Sequence, residues 1–123
     1  MTHPVVHFEI IGRDPGKLRE YYGTLFGWTF AVGGDTAPGV SAEGRYGFTE
    51  PGPIPGGIGG GPDHAPRSLF YVGVPDVPAA LERAVALGGT RVMGPERTPG
   101  GDLVVAHVTD PEGNLIGLAG PAV

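Results

Sequence analysis

The chain has 123 residues, of which 40% are apolar, and this fits one domain with an ordinary core. Because there is no cysteine, disulfides, thiolate metal sites and a thiol nucleophile are excluded. A formal net charge of −5, with the basic residues scattered, argues against a nucleic-acid partner. The first residues lack the basic patch and long apolar run of a signal peptide, and no apolar run approaches the roughly 20 residues of a membrane span. We therefore expect a cytoplasmic protein.

The first half of the sequence predicts a strand, a helix and three weaker strands. Residues 5–11 are rich in β-formers. Asp14 followed by proline is typical of a helix start, and Gly27 of a helix end. Apolar residues between them recur at the spacing of one helix face. The later strand candidates are residues 28–32, 45–49 and the glycine-rich 54–61.

Two connectors hold much of the unusual glycine and proline content, which is 24 and 14 residues. They cover residues 33–39 and 51–66. Patterned segments flank both, so a disordered chain is not indicated. We expect these connectors to be mobile loops on a folded scaffold.

The second half repeats this order of elements. A strand at residues 69–74 precedes Asp76, which is placed to cap a helix that ends at Gly88 and Gly89. Strands are then predicted at residues 90–93, 103–108 and 115–119, with a tight turn at 110–114 before the last one.

The two halves align as an internal repeat. Residues 7–27 match residues 69–89 without a gap, so Asp14 meets Asp76 and Gly27 meets Gly89. Two unrelated strand–helix units could also look alike, and this alternative stays open.

Three stretches carry a family resemblance. They are His-Phe-Glu-Ile at residues 7–10 with the helix after it, Tyr-Val-Gly-Val at 71–74 with its helix, and Asp-Pro-Glu-Gly-Asn-Leu-Ile-Gly-Leu at 110–118. Their order resembles the vicinal oxygen chelate superfamily of glyoxalase I, bleomycin-binding resistance proteins, fosfomycin resistance enzymes and extradiol dioxygenases. The resemblance implies an α+β fold in which two βαβββ modules form a curved, cup-shaped mixed sheet, with helices on its convex side. It implies a single glyoxalase-like domain over residues 1–123, with modules of about 1–62 and 63–123.

Strand alternation separates the residues at the start of the first module into two faces. Phe8 and Ile10 form an apolar set that suits packing under the helix. His7 and Glu9 therefore point together to the opposite face, which is the concave face of the expected cup. By the same alternation, Tyr71 faces the cup from the second module.

The resemblance also gives positions for a metal, since metal-dependent members take ligands from the first and last strands of each module. His7 matches one position, but Leu69 stands at its equivalent. The last-strand carboxylate position falls on Gly117, with a counterpart near Gly59. A catalytic metal usually takes about three protein ligands. We therefore expect no cofactor, and a divalent metal held by His7 and Glu9 remains the alternative.

The residues expected to contact a small organic molecule are polar or aromatic. They are His7, Glu9, Tyr46, Phe48, Tyr71 and His107. For His107, a position in the cup and partial exposure both stay open. Glu9 is the candidate catalytic base, because burial in an apolar cup raises the pKa of a carboxyl group.

Three functions compete at this stage. The first is a metal-independent protein that binds a small, partly apolar organic molecule, as the drug-binding members do. The second is a lyase, isomerase or dioxygenase-like enzyme that uses Glu9 and His7, with or without a divalent metal. A structural or regulatory partner protein is the third, and no residue pattern favours it. A homodimer is expected, because pairing would cover exposed sheet edges.

Overall fold

The computed structural model describes residues 2–34 and 36–122, and Met1, Asp35 and Val123 lie outside the described residues. Asp35 belongs to the connector predicted at residues 33–39. Internal contacts group the chain into two compact units. One unit is His7–Ser68, and the other joins residues 2–6 with residues 69–122.

The first module consists of β1 (Val5–Gly12), α1 (Pro15–Phe26), β2 (Ala31–Val32), β3 (Gly47–Thr49) and β4 (Gly56–Gly60). The strands lie in the order β2-β3-β4-β1, with β1 and β4 parallel and the other pairs antiparallel. Asp14 caps α1, since its carboxyl group accepts a hydrogen bond from the Lys17 amide at 3.2 Å. Gly27 ends the helix with a left-handed φ of 73°. Both predicted helix ends are confirmed.

Strand β4 is built almost wholly of glycine because two aromatic rings lie directly on its backbone. A Cβ atom added at Gly56 would lie 2.2 Å from the Phe8 ring. One added at Gly57 would lie 2.0 Å from the Tyr46 ring. All five residues of β4 are buried. This confirms a strand within residues 54–61 and corrects the expectation of a loop through all of residues 51–66.

The second module consists of β5 (Arg67–Gly73), α2 (Val77–Ala86), β6 (Thr90–Arg97), β7 (Leu103–Thr109) and β8 (Leu115–Pro121). Its strand order is β5-β8-β7-β6, again with one parallel pair, β5 with β8. The Asp76 carboxyl caps α2 by accepting a bond from the Ala79 amide at 3.1 Å. The apolar face of α2 packs on the strands and forms a core of Val74, Val77, Leu81, Ala106, Val108 and Leu118.

Among the strands whose lengths differ from the prediction, β2 is much shorter and β6 much longer. The strand expected at residues 28–32 is reduced to Ala31–Val32, because the Trp28 ring instead packs 5.9 Å from the ring of Tyr22 on α1. Conversely, the strand expected at residues 90–93 continues to Arg97.

The turn predicted at residues 110–114 is confirmed. The Asp110 carboxyl accepts hydrogen bonds from the backbone amides of Glu112 and Asn114, both at 2.9 Å. The Asn114 side chain also donates to Asp110, and this bond is the main reason that the pKa of the carboxyl group is lowered.

The predicted class is therefore confirmed: the fold is α+β and contains two βαβββ modules with mixed strand pairing. Neither helix found in residues 2–34 and 36–122 has the length and apolar character needed to cross a membrane.

Candidate functional site

Three polar side chains of the first module form one hydrogen-bonded chain. The Tyr46 hydroxyl donates to Oε1 of Glu9 at 2.8 Å. The same hydroxyl lies 2.8 Å from Nε2 of His7. His7 and Glu9 are two residues apart on β1, so their side chains share the face that strand alternation predicts. Tyr46, just before β3, joins them.

Burial increases from His7 to Tyr46 and Glu9 in this hydrogen-bonded group. Glu9 and Tyr46 are each only 2% exposed, whereas His7 is half-buried. Phe48, whose ring centroid lies 4.8 Å from that of Tyr46 and 6.3 Å from that of His7, is 41% exposed. The accessible part of the group is thus an imidazole beside an aromatic ring, with a carboxyl group and a phenol behind them.

The direction of these hydrogen bonds assigns the proton positions of His7. Because the Tyr46 proton points to Glu9, the phenol oxygen accepts the second bond, and Nε2 of His7 is the donor. Burial lowers the pKa of His7, which favours the neutral ring at pH 7. A neutral ring protonated on Nε2 carries its lone pair on Nδ1.

The position of Tyr46 depends on small residues beneath its ring. Gly57 and Gly59 lie on one face of β4, and a Cβ atom at Gly59 would lie 2.5 Å from the ring. The hydroxyl of Ser41 accepts a hydrogen bond from the Gly60 amide at 2.9 Å and lies beside the same strand. The ring therefore lies directly on the backbone of β4, with the ring of Phe48 beside it.

The second module contains a separate tyrosine–histidine pair. The Tyr71 hydroxyl lies 2.7 Å from Nε2 of His107, and both side chains are almost fully buried, at 3% and 1% exposed. A Cβ atom added at Gly117, which pairs with Tyr71 across β5 and β8, would lie 2.3 Å from the Tyr71 ring. Of the two placements left open for His107, partial exposure is therefore wrong.

The strand register identifies which residues occupy the positions of the metal ligands that the family resemblance implies. Glu9 pairs with Gly57, and its repeat partner Tyr71 pairs with Gly117. The counterpart of Gly117 is thus Gly57, two residues from the expected Gly59. At both positions a tyrosine ring fills the space that a carboxylate side chain would need.

These residues do not fit a divalent metal. His7 and Glu9 are joined through the Tyr46 hydroxyl, which uses Nε2 of one and Oε1 of the other. Within residues 2–34 and 36–122, no cluster of three histidine, aspartate or glutamate side chains could hold an ion.

Of the six residues expected to bind a ligand, the structure brings four together in the first module and two in the second. The first group is His7, Glu9, Tyr46 and Phe48, and the second is Tyr71 with His107. The sequence interpretation placed Tyr46 among the residues that contact a ligand and missed its hydrogen bonds to Glu9 and His7. The glycines of β4 were the available signal, because they indicate a large side chain lying close to that strand.

The fold and this group of side chains define a class of small α+β proteins built from two βαβββ modules with polar and aromatic residues on strand faces. The sequence matches the family model of the Glyoxalase/Bleomycin resistance protein/Dioxygenase superfamily over residues 5–118. The chain belongs to this superfamily. A comparison with curated proteins finds no significant match.

Solved structures with the same fold include proteins of several kinds. A hypothetical protein from Bacillus halodurans C-125 matches with a TM-score of 0.68 and 12% identity, over 100% of this chain and 97% of that one. Methylmalonyl-CoA epimerase from Mycobacterium tuberculosis matches with a TM-score of 0.61 and 16% identity, over 97% of this chain and 88% of that one. The Streptomyces coelicolor methylmalonyl-CoA epimerase, in complex with 2-nitronate-propionyl-CoA, matches with a TM-score of 0.62 and 15% identity, over 97% of each chain. At these identities the likeness shows the fold alone.

Proposed function

We propose that this chain is a metal-independent binding protein for a small, partly apolar organic molecule. The observation that carries the proposal is the hydrogen-bonded group of His7, Tyr46 and Glu9 beside the exposed ring of Phe48. An aromatic ring supplies apolar contact area, and a few placed polar groups orient a ligand. Membership of a superfamily that includes the bleomycin resistance proteins agrees with this function.

In this proposal the four residues have different tasks. Phe48 and the ring of His7 contact the ligand, because they are the accessible members of the group. Glu9 and Tyr46 are positioning residues that hold His7 in one orientation and one tautomer. The sequence interpretation gave ligand contact to both His7 and Glu9, and the burial of Glu9 favours His7 in that role.

A second candidate is an acid–base enzyme of the isomerase or lyase type. The chain of two 2.8 Å hydrogen bonds favours it, because a carboxyl group coupled through a phenol can stabilise an imidazole that takes a proton from a substrate. Several proteins of the same fold are epimerases of a CoA ester, and a CoA ester is therefore one substrate class to include in a screen.

One experiment separates the two candidates. A library of small organic molecules, including acyl-CoA esters, is screened by NMR in the presence of a chelator, and each bound molecule is then incubated with the protein in deuterated water. A binding protein leaves the molecule unchanged. Conversion, or exchange of a carbon-bound proton that His7→Gln abolishes, would replace the binding function by the enzymatic one. Failure of every molecule to bind without added Zn²⁺, Mn²⁺ or Mg²⁺ would contradict the metal-independent site.

We also propose that the chain forms a homodimer. Exposed apolar residues on α1 support this, namely Tyr21, Leu25 and Phe26, which are 56–58% exposed. Light scattering across micromolar concentrations tests it directly. The expected mass is twice 12.6 kDa, and a monomer at all concentrations would contradict the proposal.

A further inference from the structure

A groove separate from the group of His7, Glu9, Tyr46 and Phe48 lies within the first unit. It has a volume of about 490 Å³ and lies between the end of β1, the first turns of α1 and the start of β5. Ile10, Leu18 and Tyr22, all partly buried, give it an apolar wall. None of the residues expected to bind the small molecule lines it.

Positive charge concentrates along this groove. Arg13, Lys17 and Arg67 line it, and they are three of only eight basic residues in a chain of net charge −5. Asp14 is the one acidic residue in the lining. Its carboxyl group already accepts the Lys17 amide bond that caps α1. The lining therefore carries a net charge of about +2, and the amino end of α1 adds the positive end of the helix dipole.

Within residues 2–34 and 36–122, the three basic side chains of this groove form no salt bridge with a carboxylate. Arg67 is held in place, because its guanidinium donates to the carbonyl of Gly39 at 2.9 Å. Its Nε atom is buried and has no hydrogen-bond partner in the part of the chain that the structure describes. Because this atom is enclosed by protein, Arg67 contributes its positive charge to the groove rather than a hydrogen bond from Nε.

We propose that this groove binds a small organic acid, in which a carboxylate is attached to an apolar chain or ring. The carboxylate lies among Arg13, Lys17 and Arg67, and the apolar part lies against Ile10, Leu18 and Tyr22. The charges select an anion over a cation, and the apolar wall selects an amphipathic acid over a small inorganic anion. This site is independent of the proposed function of His7 and its neighbours.

The test uses octanoate as the probe, with octylamine and octanamide as matched cationic and neutral compounds. Binding is measured by NMR titration of the uniformly labelled protein. Octanoate is expected to shift the signals of Ile10, Leu18 and Ser68, and to bind about ten-fold more tightly than either analogue, a difference of about 1.4 kcal/mol. Equal binding of octylamine, or shifts confined to other parts of the chain, would overturn the proposal.

Substitutions of basic residues test which charges contribute to octanoate binding. The double variant Arg13→Gln/Lys17→Gln is expected to weaken octanoate binding about five-fold or more. These two side chains are exposed, so the substitutions should leave the fold intact. Arg45→Gln is the matched control, since Arg45 is exposed in the same unit but does not line the groove. An equal loss in Arg45→Gln would show a non-specific effect of net charge and overturn the site.

His7→Gln keeps this test separate from the proposed function. It should leave octanoate binding unchanged, because His7 does not line the groove. If His7→Gln loses octanoate binding and Arg13→Gln/Lys17→Gln does not, octanoate binds beside His7. That result would contradict the proposed binding in the groove.

Discussion

The Tyr46 hydroxyl donates a 2.8 Å hydrogen bond to Oε1 of Glu9, a carboxyl group that is only 2% exposed. This contact links β1 with the residue before β3, and it continues through the same hydroxyl to His7. A buried carboxyl group on a strand face is costly unless it is hydrogen-bonded. The phenol therefore explains how Glu9 can lie buried there, and it couples Glu9 to the more accessible imidazole.

Tyr46→Phe removes this hydroxyl while keeping the ring. We expect the free energy of unfolding to fall by about 1–2 kcal/mol, because two hydrogen bonds of partly buried groups are lost. Urea denaturation measures the change. Tyr21→Phe is the control, since Tyr21 is 58% exposed and its hydroxyl should matter little. Equal stability of Tyr46→Phe and the parent would contradict the hydrogen-bonded chain.

Stability should depend on pH through His7. Burial lowers the pKa of His7 in the folded protein below its ordinary value of 6.5, so the unfolded chain binds the proton more readily. The contribution of His7 to stability is then complete above pH 6.5 and is lost as the pH drops from 6.5 towards the folded pKa. Denaturant melts of the parent and His7→Gln between pH 5 and 8 isolate this effect. The loss should be smaller in His7→Gln, and identical pH profiles would show that His7 is not the group responsible.

Gly57→Ala tests the contact between Tyr46 and β4. The added Cβ atom would lie 2.0 Å from the Tyr46 ring, so the ring must move. We expect a loss of about 1–3 kcal/mol, which is typical of overpacking. Gly52→Ala is the matched control, because nothing lies within 4 Å of a Cβ atom there. Destabilisation of both variants by the same amount would contradict the contact, because the loss would then not depend on the Tyr46 ring.

Truncation of Glu9 tests its buried, hydrogen-bonded position. A carboxyl group on a solvated strand face would contribute little to stability. Because Glu9 is buried and bonded to Tyr46, we expect Glu9→Ala to cost about 1–3 kcal/mol. Glu9→Gln should cost less, since an amide oxygen can accept the same bond. Phe8→Ala, which removes a ring packed 5.3 Å from that of Trp28, should cost about 3 kcal/mol. A neutral effect of Glu9→Ala would contradict the buried, hydrogen-bonded position of this side chain.

Local sequence signals were sufficient to predict the two modules and the ends of their helices. Asp14 and Asp76 accept the expected capping bonds, because an N-cap depends only on residues three positions away. The shared face of His7 and Glu9 was also predictable, since alternation follows from strand geometry.

Contacts between distant residues were not predictable in the same way. Tyr46 is 37 residues from Glu9, and no local pattern places its hydroxyl beside that carboxyl group. The short β2 has a similar cause, because packing of Trp28 on Tyr22 overrides the β propensity of residues 28–30. The groove lined by Arg13 and Arg67 also brings together residues that are far apart in sequence.

The most direct test of the central claim is the affinity of a screened ligand for the parent and three variants. His7→Gln and Phe48→Ala should each weaken binding about ten-fold or more, because both side chains contact the ligand. Tyr21→Ala, which removes an exposed aromatic side chain outside the site, should bind like the parent. If His7→Gln and Phe48→Ala keep the parent affinity, or if Tyr21→Ala loses as much as they do, the ligand does not bind at this face.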